Sequence, residues 1–385
     1  MSEDWRHGGF GLYLHWPFCA AKCPYCDFNS HVSAKIDQSR WNRAYLAEID
    51  RYAAQTESRV LKSVFFGGGT PSLMEPELVH SILDRVRERW TLANDVEITL
   101  EANPTSIESG RFRAYSEAGV NRISMGMQAL NDDDLRKLGR MHNAAEGRAA
   151  FDIARKHFNR VSFDLIYARQ DQSLDAWKAE LREALEMAVD HFSLYQLAIE
   201  DGTAFGARHA AGKLRGLPDD DLASDMYLIT QDICASYGLP AYEVSNHARP
   251  GAESRHNLVY WRYGDYVGIG PGAHGRLSLN GDRYATDTPK SPEAWLERVE
   301  KVGSGELSRE SLPRHEQAIE LLLFGMRLSE GLDTDRYAQL SGAPLDPSKI
   351  EMLQEIGMIT LEQGLILATP DGRAVLNAVI RELMP

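Results

Sequence analysis

Three of the chain's four cysteines, Cys19, Cys23 and Cys26, stand within eight residues of one another in HWPFCAAKCPYCDF (15–28). Their spacing is C-x3-C-x2-C, on what reads as a loop leaving the first strand. Thiolates are the usual ligands of iron–sulfur clusters, and a short loop can wrap several around one cube. Three thiolates serving four irons leave one iron without a protein ligand, and an open position marks function, as it does at catalytic zinc. A zinc site is the competing reading, with His15 or Asp27 as fourth ligand. Structural zinc sites come as paired C-x2-C or C/H units, however, and the second pair is missing. Three unrelated buried thiols is the weakest reading for a loop that contains Pro24. Cys234, in DICASYG, reads as a buried core thiol.

Such a loop needs a scaffold, and the pattern before residue 200 supplies one. FGLYLHW (10–16), KSVFFGGGT (62–70), EITLEANP (97–104), NRISMGMQAL (121–130), RVSFDLIYA (160–168) and DHFSLYQLAIE (190–200) read as strands. Amphipathic helices lie between them. One carries Trp41, Tyr45, Ile49 and Tyr52 on a single face, the next Leu78, Ile82, Val86 and Trp90, and LDAWKAELREALEMA (174–188) is another. Strands alternating with helices imply parallel pairing, because each crossover returns the chain through a helix.

The polar and glycine residues fall at strand C-terminal ends: the cysteine loop, Gly67–Thr70, Glu101, Gln128 and Asp164. That distribution suits a barrel, whose chemistry gathers at this end, better than an open sheet with one crevice. The expected fold class is therefore α/β, a partial (β/α)6 TIM-like barrel over 1–200. Residues 201–311 read as a barrel extension. Residues 312–385 read as a smaller C-terminal helical, winged-helix-like domain, with a hairpin in MITLEQGLILAT (358–369) around Gln363-Gly364.

Composition excludes several classes. The 385 residues carry a net charge of −14, so a broad phosphate-binding surface built from clustered Lys and Arg is not expected. Residues 312–385 hold 6 Lys and Arg against 11 Asp and Glu, which argues against nucleic acid as the winged-helix partner. The longest apolar block, AIELLLFGM (318–326), is too short to span a bilayer. MSEDWRHGGFG shows no secretory pattern. Crowded cysteines without a disulfide framework point to a reducing compartment, the cytoplasm.

CxxxCxxC with an aromatic residue, Tyr25, before the last cysteine resembles the hallmark of the radical S-adenosylmethionine family. The resemblance implies a 4Fe-4S cluster whose open iron is chelated by S-adenosylmethionine. One electron from the cluster then cleaves the sulfonium C–S bond to give a 5′-deoxyadenosyl radical. The glycines of Gly67–Thr70 would let backbone amides approach a carboxylate or amine, and Glu101 suits ribose hydroxyls or an ammonium group. Tyr13, GGGTPS, EANP, RISMGMQALND, LGRMH and FDLIY together resemble the oxygen-independent coproporphyrinogen III oxidase group over nearly the whole chain. By that resemblance Tyr13, Gly68, Gly69, Thr70, Glu101, Gln128, Arg140 and Asp164 contact S-adenosylmethionine, with Tyr25 beside the cluster.

Two features depart from the decarboxylating enzymes. Their fourth cysteine, two residues after the third, is Phe28 here. RHNLVYW (255–261) contains HNxxYW, which resembles the signature of HemW-type haem chaperones. That branch implies haem as ligand, delivery to haem-acceptor proteins, an electron donor, and no coproporphyrinogen oxidase activity. The acceptor could be membrane-associated although no membrane segment is expected. His256 would be the axial ligand, with Tyr260 and Trp261 packing on the macrocycle; His247 and His274 compete for the ligand role. A lone His beside aromatics is otherwise a hydrogen-bonded, partly buried side chain. The alternative function is oxidative decarboxylation of coproporphyrinogen III to protoporphyrinogen IX.

Overall fold

The computed structural model describes residues 3–33, 35–104, 109–188 and 190–385. Six strands before residue 200, β1 (Phe10–Trp16), β2 (Val60–Gly68), β3 (Thr91–Ala102), β4 (Arg122–Gln128), β5 (Arg160–Tyr167) and β6 (His191–Gln196), pair in sequence order and all in parallel. A seventh parallel strand, β7 (Asp265–Ile269), joins the other side of β1. Antiparallel strands extend both flanks, so the twelve-stranded sheet curls without closing, a TIM-like partial barrel.

The helices form where the pattern predicts. Helix Gln38–Ala53 starts at the Asp37 cap and buries Trp41, Tyr45, Ile49 and Tyr52. Helix Pro76–Arg89 buries Leu78, Ile82 and Val86, and Ser173 caps Leu174–Met187. Two boundaries differ from expectation. β3 starts at Thr91, six residues early, because Leu61 pairs with Leu92 and Ser63 with Glu97, and the extra residues between bulge out and break the alternation. β7 is not among the expected strands, since only its pairing with β1 makes GDYVGIG a strand.

On β3, β4 and β5 the two faces differ. Ile98, Leu100, Ile123, Met125, Val161 and Phe163 join the large apolar core. The opposite face is polar. Arg122 donates to Thr99 Oγ1 and Ser162 Oγ, and its guanidinium meets His191 Nδ1 at 3.3 Å. A barrel lined this way carries its ionisable groups beneath the mouth rather than on the surface.

Residues after 312 build their own apolar cluster, with Leu322, Leu340, Leu353, Ile359, Ile366 and Ile380 at its centre. Helices Arg314–Gly325, Thr334–Ser341 and Pro347–Glu355 precede the hairpin Ile359–Glu362/Leu365–Ala368, and Leu332–Asp333 adds a third strand. The hairpin turns at Gln363 and Gly364, both with positive φ, as a two-residue turn of matching twist requires. Among the described residues no helix is long and apolar enough to cross a membrane.

Candidate functional site

The cysteine loop leaves β1 and is pinned at several points. Phe18–Cys19 pairs in parallel with His31–Val32. Asn29 donates from its side-chain amide to the carbonyls of Pro271 and Lys290, and the Phe205 amide donates to the Pro24 carbonyl. The thiols themselves are held from two sides: Thr70 Oγ1 lies 3.5 Å from Cys19 Sγ, and Arg140 Nη1 lies 3.1 Å from Cys23 Sγ. Burial pushes the Cys19 and Cys26 thiols above their usual pKa, so loading a metal there must displace protons.

The three cysteines open onto one cleft with Tyr25, Gly68, Gly69, Thr70, Glu101, Gln128, Arg140 and Asp164. The cleft together with the open solvent at its mouth takes up about 710 Å³. Of the residues expected to contact S-adenosylmethionine, Tyr13 alone lies elsewhere, on the wall of a neighbouring cleft. Ser124, Gly126, Asn103 and Phe28 also line the first cleft. The alternation in RISMGMQ, which turns Arg122, Ser124, Gly126 and Gln128 to one face, was the signal for two of them.

Several groups in the cleft carry unmet demands. Burial, and then the neighbouring Asp164, push the Glu101 carboxyl up to about 8, while burial raises Asp164 to about 6. Among the described residues Glu101 Oε2 accepts the Gly68 amide alone, at 3.2 Å. Gln128 Oε1 and Arg140 Nε are buried without a hydrogen-bond partner. Gln128 also sits at φ 69°, a conformation that costs a side-chain-bearing residue energy and here ends β4 at the cleft. Two half-buried carboxyls and an amide oxygen unpaired among the described residues suit a ligand offering a cation and hydroxyl or amino donors. Three thiols on one loop suit iron. The residues therefore fit both groups that the cysteine motif implies.

Two expectations are corrected. The amides of the glycine run do not wait for a ligand: Gly68 N donates to Glu101, Gly69 N to the Trp16 carbonyl and Thr70 N to the Phe18 carbonyl. The glycines are required instead by close packing, since a Cβ on Gly69 would lie 2.6 Å from the Phe18 carbonyl oxygen and one on Gly68 2.6 Å from the His15 ring. The zinc reading loses His15, one of its two candidates for a fourth ligand. His15 Nδ1 meets the Tyr13 hydroxyl and Nε2 the Asn29 carbonyl.

HNxxYW forms helix Arg255–Trp261, and the structure separates its members. His256 is buried against β2: Nδ1 pairs with Ser63 Oγ at 2.9 Å, Nε2 with the Tyr260 hydroxyl at 2.8 Å, and Phe65 stacks on the ring at 4.7 Å. A neutral imidazole has one lone pair, and whichever nitrogen carries it already faces a hydroxyl. Burial lowers its pKa to about 3, which keeps it neutral. The expectation of His256 as a free axial ligand is therefore not met by this geometry. Asn257 donates to the Tyr242 hydroxyl and Asn246 Oδ1. Trp261 turns to the C-terminal module, edge-on to Phe324 and beneath Arg327. Tyr260 lines the cleft that also holds Tyr13. His247 is wholly buried, whereas His274 is exposed. Cys234 is buried, as expected.

Comparison with known proteins places these features among relatives. The chain matches the radical SAM superfamily over residues 13–184 and the HemN C-terminal domain over 312–375. It is 36% identical over 377 residues to the haem chaperone HemW of Escherichia coli K12, covering 96% of each chain. It is 37% identical over 387 residues to the mitochondrial radical S-adenosyl methionine domain-containing protein 1 of Bos taurus, covering 97% of this chain and 87% of that one. Among solved structures it is similar to the Escherichia coli coproporphyrinogen III oxidase HemN, with TM-score 0.82 at 21% identity, over 100% of this chain and 93% of that one.

Proposed function

From the premise that this chain belongs to the radical SAM superfamily, among HemW-type relatives, we propose that it is a haem chaperone, binding haem beside its cluster and passing it to acceptor proteins. The observation that carries the reading is Phe28: an exposed phenyl on the cofactor cleft, where the decarboxylating enzymes resembled by this sequence place a fourth cysteine.

The superfamily's cofactors are a 4Fe-4S cluster and S-adenosylmethionine. Cys19, Cys23 and Cys26 hold the cluster. The cluster, when bound, supplies one electron to the sulfonium. Arg140 places a positive charge against Cys23 Sγ and anchors through Nη2 on the Gly126 carbonyl at 2.8 Å. Glu101 and Asp164 take the cationic and hydroxyl ends of S-adenosylmethionine, Gln128 its amino donors, and Thr70 steadies Cys19. Tyr25 covers the loop, its ring against Phe205. Gly68 and Gly69 bring the strand end close enough for this. Tyr13 supports the same wall through His15.

Transfer needs an acceptor and, if the cluster is reduced, an electron donor; the cytoplasm suits both, and a membrane-associated acceptor is compatible. The test is anaerobic: reconstitute the cluster, titrate haem, then add an apo-haemoprotein. A saturable Soret band that moves to the acceptor supports the reading, and no saturable band overturns it. With dithionite, S-adenosylmethionine and coproporphyrinogen III the expected result is no protoporphyrinogen IX; turnover would install the oxidase reading instead.

A further inference from the structure

A second cleft opens directly beside the first. Phe28, Gly68 and Glu101 line both, and beyond them the second cleft spans about 760 Å³ with its mouth. Its character is different. Several polar groups on its walls are engaged with one another: Tyr13 with His15, Asn29 with two carbonyls, and Tyr260 with His256. What they present is ring surface. Tyr260 and Tyr266 stand edge to face with centroids 4.4 Å apart, and Phe28, 58% exposed, closes the side toward the cluster loop. An open, aromatic-walled slot suits a flat, largely apolar ligand.

His274 is the imidazole in the slot that is left unengaged, since both ring nitrogens of His15 already have partners. His274 opens the strand His274–Leu279 and lines the cleft, and its ring makes no hydrogen bond among the described residues. Its backbone is fixed, pairing with Asp287 and packed so tightly on Gly268 that no Cβ would fit there. Partial burial, then the charge of Arg276, lower its pKa, leaving a neutral imidazole with a free lone pair near pH 7. Lys290, exposed and in no ion pair among the described residues, is near enough for its charge to act on His274.

We propose that this second cleft is the haem site, with His274 as an iron ligand, the aromatic side chains of Phe28, Tyr260 and Tyr266 walling the macrocycle, and Lys290 meeting a propionate. The inference rests on the haem reading above. His256 then acts as a positioning residue, holding Tyr260 in place from beneath.

Titrating haem into the full-length, cluster-reconstituted protein and following the Soret band and the electron paramagnetic resonance of the ferric form separates the possibilities. His274→Gly is expected to shift the Soret maximum, abolish the histidine-ligated signal and weaken binding at least about tenfold, the scale of one lost metal ligand. Added imidazole is expected to restore the wild-type spectrum, which a merely unfolded variant would not do. His256→Ala is expected to keep the histidine-ligated spectrum and weaken binding less. If His274→Gly retains the wild-type spectrum, or His256→Ala alone loses it, the assignment falls while the chaperone reading stands. If the wild-type protein binds no haem, both fall.

Discussion

The cofactor cleft and helix Arg255–Trp261 are built from the same kinds of residues, and they differ in how those residues are satisfied. In the cleft, Gln128 Oε1 and Arg140 Nε are buried without partners, and Glu101 and Asp164 are pushed toward their neutral forms. In the helix, His256 spans from Ser63 to Tyr260, and Asn257 reaches Tyr242 and Asn246. A buried polar group left unpaired costs stability, so a fold retains it where a ligand completes it; a fully paired one serves the fold itself. His256 and Asn257 of the motif are paired in this way, whereas Trp261 Nε1 is itself buried without a hydrogen-bond partner among the described residues.

Replacing all three of Cys19, Cys23 and Cys26 by alanine tests the cleft's side of the contrast most severely. Essentially all cluster iron and sulfide should disappear from the reconstituted protein, by chemical assay and by loss of the visible charge-transfer absorption; retention would break the assignment. Next in size is Gly69→Ala. A Cβ there meets the Phe18 backbone, so the cysteine-bearing strand must move. A loss of about 2–3 kcal/mol in denaturant unfolding, together with lower cluster occupancy, is expected.

His256→Ala tests the opposite side. It removes a buried ring and strands two hydroxyls, which should destabilise the protein by about 3 kcal/mol while cluster content per folded molecule stays at the wild-type level. A neutral effect on stability would show that the helix is not the fastening described.

A pH dependence is the subtlest consequence. Because the folded Glu101 carboxyl binds its proton more tightly than in the unfolded chain, stability falls as pH rises from the ordinary glutamate range to about 8. Glu101→Gln should flatten that slope in the ligand-free protein. The gain at pH 8 should be on the order of 1–3 kcal/mol, with little change at pH 4. The same substitution should weaken S-adenosylmethionine binding and abolish proton release on binding, measured by calorimetry in buffers of different ionisation enthalpy. An unchanged slope would mean that Glu101 is not held neutral.

Much of this is legible in the chain. The strand and helix periods are local, so the six parallel strands and the helices between them can be read before any contact is known, as can the cysteine loop at the end of β1. The hairpin at Gln363-Gly364 is equally plain, because its turn chemistry occupies two residues. Non-local pairing is not legible. β7 is a strand because Val267 lies beside Leu12, and β3 starts early because Leu92 pairs with Leu61. The role of HNxxYW is ambiguous in sequence for a related reason: its partners Ser63, Tyr242, Asn246 and Phe324 come from distant segments.

The order of residues alone thus dictates the α/β succession and a loop with three thiols at the end of the first strand. Both follow from spacing along a few residues, which sterics and backbone hydrogen bonding translate directly into shape. Which polar atoms are spent and which are left over is settled by the folded arrangement. A histidine's or carboxylate's partners arrive from other strands, and pairing in a low-dielectric interior is fixed only when those strands meet.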